Sequence, residues 1–153
     1  MFCKTFRFGL GILSVVACLS LADSVRAETV PHKEKSTGQI TSDTGSRQDW
    51  VAEGTGTHFG RYTESGHHDY SALDGSLSGE FTVTAADGST ISGTYEGSFF
   101  PIGGGFFQFE VTVQWTEGHG RFEGVTGSGS ASAILDGATG AVVISAGGLW
   151  DRP

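Results

Sequence analysis

The sequence predicts an all-β fold: an antiparallel sheet of about eight strands closed into a barrel, with a β-sandwich as the runner-up. Three observations carry that expectation. Glycine fills 25 of 153 positions against 3 for proline, and 11 phenylalanines accompany it, a composition of short strands and tight turns rather than of collagen or simple disorder. Apolar and polar residues alternate with period two through the second half, as a pleated strand requires when it sends successive side chains to opposite faces. After residue 27 no stretch carries a helical period. At this length there is room for one domain.

Residues 1–27 read as an export signal. Lys4 and Arg7 precede an apolar stretch from Phe8 to Ala22, and Val25-Arg26-Ala27 puts small residues where a signal peptidase reads them. Cleavage is expected between Ala27 and Glu28, with release to the periplasm or the outside of the cell. A second reading takes Val15-Val16-Ala17-Cys18 as a lipobox, with Cys18 lipidated and the protein tethered to a membrane. Spanning the bilayer is disfavoured, because that takes about 20 apolar residues. Cys3 and Cys18 both fall in this segment, so the cleaved chain has no thiol or disulfide chemistry. Cleavage also removes Lys4, Arg7 and Arg26 against Asp23 alone. Nine basic and 17 acidic residues become six and 16, a formal charge of −10, which disfavours nucleic acid and anionic lipid as partners.

Residues 28–49 are polar throughout, with Val30 and Ile40 as the branched apolar residues, and are expected to form a disordered linker. The barrel is then expected over residues 50–153. Its first strand is placed from Gly54 to about Thr63. Phe81 and Val83 alternate with Glu80, Thr82 and Thr84, the run Ala86-Asp87-Gly88-Ser89 has turn chemistry, and Ile91, Tyr95 and Phe99 alternate with Thr94, Glu96 and Ser98. This pattern predicts a hairpin. The strongest strand follows: Phe107, Phe109, Val111, Val113 and Trp115 share one face, and Gln108, Glu110, Thr112, Gln114 and Thr116 the other. Further strands are expected at Ser128 to Leu135 and, after a turn at Asp136-Gly137, through Val142, Val143 and Ile144. A sheet of this kind has one apolar face and free edges, so it must close or split into two layers. Glycines within the strands, such as Gly79, Gly93, Gly127 and Gly129, permit the coiling that closure needs and favour the barrel.

Three segments, GTGTHFGRYTESG (54–66), GEFTVTAADGSTISGTYEG (79–97) and GHGRFEGVTGSG (118–129), together resemble the allene oxide cyclase-like barrel family, whose bacterial members are small exported proteins. The most specific piece is GRFEGVTGSG, and the similarity covers most of residues 54–145. The resemblance implies a calycin-like eight-stranded barrel with an apolar interior. It carries over no catalytic residue, since the plant enzymes' acidic and amide groups find no matching positions.

Phe81, Tyr95, Phe99, Phe109 and Trp115 are the candidates to line a ligand pocket in the barrel or at its mouth. Arg61 and Arg121, each between a glycine and an aromatic, are candidates to hold a ligand carboxylate. Glu64, His67, His68 and Asp69 offer imidazoles and carboxylates to a metal, but neighbouring residues share an ion only in a loop, as the run SGHHDYS suggests. Their spacing matches no recognised metal motif, so neither a metal nor another cofactor is expected. No serine or threonine sits in a constrained nucleophile turn. Three function classes follow: a module binding a small apolar ligand, a cyclase-like isomerase using the same pocket, and a structural or interaction protein with a packed interior. The non-catalytic roles lead.

Overall fold

The computed structural model describes residues 28–153; the segment expected to be an export signal, Cys18 included, lies outside the described residues. Eight strands follow one another: β1 (Glu28–Asp43), β2 (Arg47–Gly56), β3 (Gly60–Tyr70), β4 (Ser76–Ala85), β5 (Thr90–Gly103), β6 (Phe106–His119), β7 (Thr126–Asp136) and β8 (Ala141–Arg152). Each pairs antiparallel with the next, and β1 pairs with β8 to close the barrel. The closed barrel is therefore the fold, and the sandwich is not.

The expected linker is instead β1. It pairs with β8 from Glu28 opposite Arg152 to Gln39 opposite Ala141, and its other edge pairs with β2. The period-two signal was present but written in polar letters: His32, Glu34 and Ser36 are buried while Lys33, Lys35 and Thr37 are exposed. The barrel thus begins at residue 28 and not at residue 50. The strand expected from Gly54 to Thr63 is in fact a hairpin, because the chain turns at Thr57–Phe59 and β3 starts at Gly60. The φ of Gly60 is +67°, a backbone conformation that glycine adopts without steric cost. The run SGHHDYS is likewise not a loop; its first six residues belong to β3.

Three inner-face glycines each sit directly opposite an aromatic residue on the neighbouring strand: Gly66 opposite Trp50, Gly79 opposite Tyr95, and Gly93 opposite Phe81. A Cβ on any of them would meet that ring at 2.6 to 2.8 Å. The rings therefore lie flat on bare backbone, which lets large side chains line a strongly coiled sheet without crowding.

The two ends of the barrel differ. One is plugged by Phe59, Phe122 and Val125, all buried, over a layer of Trp115, Trp150 and His32. The His32 ring stacks on Trp150 with centroids 4.1 Å apart and planes 10° apart, and Phe59 meets Trp150 edge-on at 5.1 Å. Arg121 latches this end: its guanidinium donates to the Phe59 carbonyl at 2.8 Å, lies 4.8 Å from the Phe122 ring centroid and pairs with Asp87 at 3.4 Å. At the other end, the β1–β2, β3–β4, β5–β6 and β7–β8 turns surround an opening.

Candidate functional site

Between the plug and the opening lies a cavity of about 90 Å³. One wall is aromatic, from Trp50, Phe81, Tyr95 and Phe109. The β7 and β8 wall is aliphatic, with Ala131, Ala133 and Ala146 among Leu135, Val142 and Ile144. Space remains because alanines face rings. The cavity continues into a mouth of about 480 Å³ bordered by Asp43, Gln48, Tyr70, Phe99 and Phe107; Ile40, His68, Phe109 and Leu135 line both.

A directed chain of hydrogen bonds crosses the upper cavity. Trp50 Nε1 donates to the Tyr95 hydroxyl at 2.9 Å, and that hydroxyl lies 2.9 Å from His68 Nδ1. His68 Nε2 lies 3.1 Å from Gln48 Oε1, and Gln48 Nε2 donates to Asp43 at 2.8 Å. Since the Gln48 oxygen can only accept, His68 carries its proton on Nε2 and accepts from Tyr95 at Nδ1. Both ring nitrogens of a neutral imidazole are then satisfied. Burial agrees, pushing the His68 pKa down to about 4, although Asp43 and Asp69 pull the other way. Burial also pushes the Tyr95 phenol up, so it stays a donor.

The lower cavity is different. Glu34 and Glu64, both buried, line it from β1 and β3. Between them β2 presents only Ala52, Gly54 and Gly56 to the interior, and that bare strip leaves room for the two carboxyls. Burial, then the Glu34 charge, pushes Glu64 well above the usual carboxylate range. Glu34 lies 3.2 Å from His32 Nε2. Ser36 and Tyr62 sit across from each other, both paired with Gly54, and the buried Tyr62 hydroxyl lies beside Ser36 and Glu34. Burial together with Glu34 and Glu64 raises the Tyr62 phenol.

Of the pocket candidates, Phe81, Tyr95 and Phe109 line the cavity, and Phe99 stands at the mouth, stacked on Phe109 at 5.7 Å. Trp115 belongs to the plug layer below, with 1% of its surface exposed. Arg61 and Arg121 are exposed at the plugged end and do not line the cavity, whose charged groups are acids. The four metal candidates are split by strand alternation. Glu64 and His68 point inward, whereas His67 and Asp69 lie on the outer face, where Arg47 stands 3.6 Å from Asp69. Among the described residues no group of three or more His, Cys, Asp or Glu side chains is placed to hold a metal ion. Sequence reasoning missed Glu34, Trp50 and the inward role of Glu64. The alternation of His32, Glu34 and Ser36 with lysines and threonine was the signal for the first.

Fold and cavity together define a closed antiparallel barrel, consistent with the calycin-like architecture, entered from one end. No protein-family model matches the chain, and neither a curated protein nor a solved structure matches it.

Proposed function

We propose that this protein is an exported, non-catalytic binding module that takes a small apolar ligand into the barrel through its open end. The observation that carries the reading is the cavity itself: an aromatic wall and an aliphatic, alanine-containing wall enclose it below an open mouth of about 480 Å³. The resemblance to the allene oxide cyclase-like family supports the same pocket. Binding is favoured over isomerase chemistry because Trp50, Tyr95, His68 and Gln48 satisfy one another, leaving no free base in the upper cavity. Titration with n-hexanol or toluene is expected to change Trp50 fluorescence saturably and to raise the melting temperature. At 100 times the dissociation constant the stabilisation is about 2.7 kcal/mol. Ala133→Leu, which fills the cavity, is expected to abolish both effects. A linear, unsaturable response in the unsubstituted protein would refute the reading.

Export rests on the basic, apolar and small-residue pattern of residues 1–27. The intact mass of the exported protein is expected to correspond to an unmodified N-terminus at Glu28; a diacylated chain beginning at Cys18 would instead establish a membrane tether.

A further inference from the structure

We propose that the ligand is a small apolar amine, held with its ammonium group between Glu34 and Glu64 at the bottom of the cavity and its hydrocarbon part against Trp50, Phe81 and Phe109. This rests on the barrel-binding reading above and specifies its chemistry.

The two polar regions of the interior differ in how well they are satisfied. Near the mouth every donor and acceptor of Trp50, Tyr95, His68 and Gln48 that faces inward is engaged. At the bottom, Glu64 is more than nine-tenths buried, lines the cavity, and feels only burial and the charge of Glu34, with no hydrogen bond favouring its ionised form. The Tyr62 hydroxyl is buried beside Ser36 and Glu34, behind the cavity lining. Leaving a buried carboxyl without a donor costs about 1–3 kcal/mol, more for a charge, so Glu64, which lines the cavity, points to an occupant that satisfies it.

The donor set selects that occupant. Glu64 and Glu34 present carboxyl acceptors to a group that brings several N–H donors and a positive charge. A primary ammonium brings three donors. An alcohol brings one donor and no charge, and a carboxylate ligand would place a further acid against Glu34 and Glu64. A divalent cation asks for six or more oxygen ligands or a tighter nitrogen and carboxylate set, which the described residues do not assemble. Around the acids the walls are hydrocarbon and aromatic, so the remainder of the ligand is apolar. The formal charge of −10 on residues 28–153 also favours the approach of a cation.

Binding carries a proton balance. The incoming ammonium keeps its three protons, while neutral Glu64 gives up its carboxyl proton to solvent and becomes the counter-ion. Net charge at the bottom of the cavity is unchanged by the exchange. The titratable groups around the acid pair are Glu34 and His32 from β1, 3.2 Å from each other, Tyr62 and His68 on the strand of Glu64, and Tyr95 from β5. From β2 and β4 Glu64 meets Trp50, Ala52, Phe81 and Val83, none of which titrates.

The test compares n-hexylamine, n-hexanol and hexanoate at pH 7 by calorimetry, repeated in two buffers of different ionisation enthalpy to count protons. The amine is expected to bind about tenfold tighter than the alcohol or better, hexanoate weakest, with close to one proton released per amine. Glu64→Gln is expected to remove the amine's advantage while leaving hexanol binding intact. Hexanol binding as tightly as hexylamine, or a Glu64→Gln protein that keeps the preference, would overturn the ammonium site and leave the barrel-binding reading standing. Failure of all three probes would overturn both. The comparison of the three probes on the unsubstituted protein decides the matter even if the variant does not fold.

Discussion

Replacing Trp150 with alanine is expected to lower the unfolding free energy by about 3–5 kcal/mol, the largest loss of any single truncation in the barrel. Its side chain is 0% exposed. It stacks on His32 at 4.1 Å and meets Phe59, Trp115 and Phe122 edge-on at 5.1, 5.8 and 5.9 Å, so its removal strips partner atoms from four rings at once. Its place on β8, opposite Val30 of β1 and Gly127 of β7, is the seam where the last strand joins the first. Loss there weakens both packing and closure. Phe109→Ala is expected to cost less, because one side of that ring already faces the cavity and lacks contact atoms to lose. Urea titration followed by near-ultraviolet circular dichroism measures both. A Trp150→Ala loss under about 1 kcal/mol would mean that the plug layer is not the core of the barrel.

The same contrast between plug and cavity explains what was legible in the sequence. In β6 the alternation of Phe107, Phe109, Val111, Val113 and Trp115 with polar residues is unambiguous, because that strand runs from the apolar cavity wall into the aromatic plug. β1 was illegible for the opposite reason. Its inward residues His32, Glu34 and Ser36 face the polar floor of the interior, while Lys33, Lys35 and Thr37 face water, so both faces are polar and the segment has the composition of a linker. Hydrophobic periodicity reports a strand only where one face is apolar. β3 was obscured similarly: Glu64 and His68 point inward among Ser65, His67 and Asp69, and a buried acid or imidazole has the same letter as an exposed one. The glycines were read as a sign of coiling. Their sharper role, bare backbone under Trp50, Tyr95 and Phe81, depends on cross-strand register, which no local pattern in one strand specifies.

Two buried titratable groups of that interior, His68 and Glu64, are expected to oppose each other as pH changes. His68 has its pKa pushed down from 6.5 to about 4 by burial. Between those values the unfolded chain binds the proton and the folded chain does not, so stability rises with pH across this window. The stabilisation is fully present above about pH 6.5 and is lost as pH falls toward 4, with a swing of about 3 kcal/mol. Glu64 has its pKa raised from 4.5 by burial and by Glu34. Above pH 4.5 the unfolded carboxyl ionises while the folded one keeps its proton, so this contribution is full below 4.5 and declines as pH rises through the folded value. Above pH 4.5 the two slopes have opposite signs and offset each other. The unsubstituted protein is therefore expected to show a flatter profile than either single variant in urea midpoints measured at pH 4.5, 5.5 and 6.5. Glu64→Gln removes the falling component, and its stability should climb steeply over the same interval; His68→Gln removes the rising one, and its stability should decline. If Glu64→Gln were as flat as the unsubstituted protein, His68 would not be the neutral, doubly hydrogen-bonded imidazole that links Tyr95 to Gln48, and the satisfied chain across the upper cavity would lose its central member.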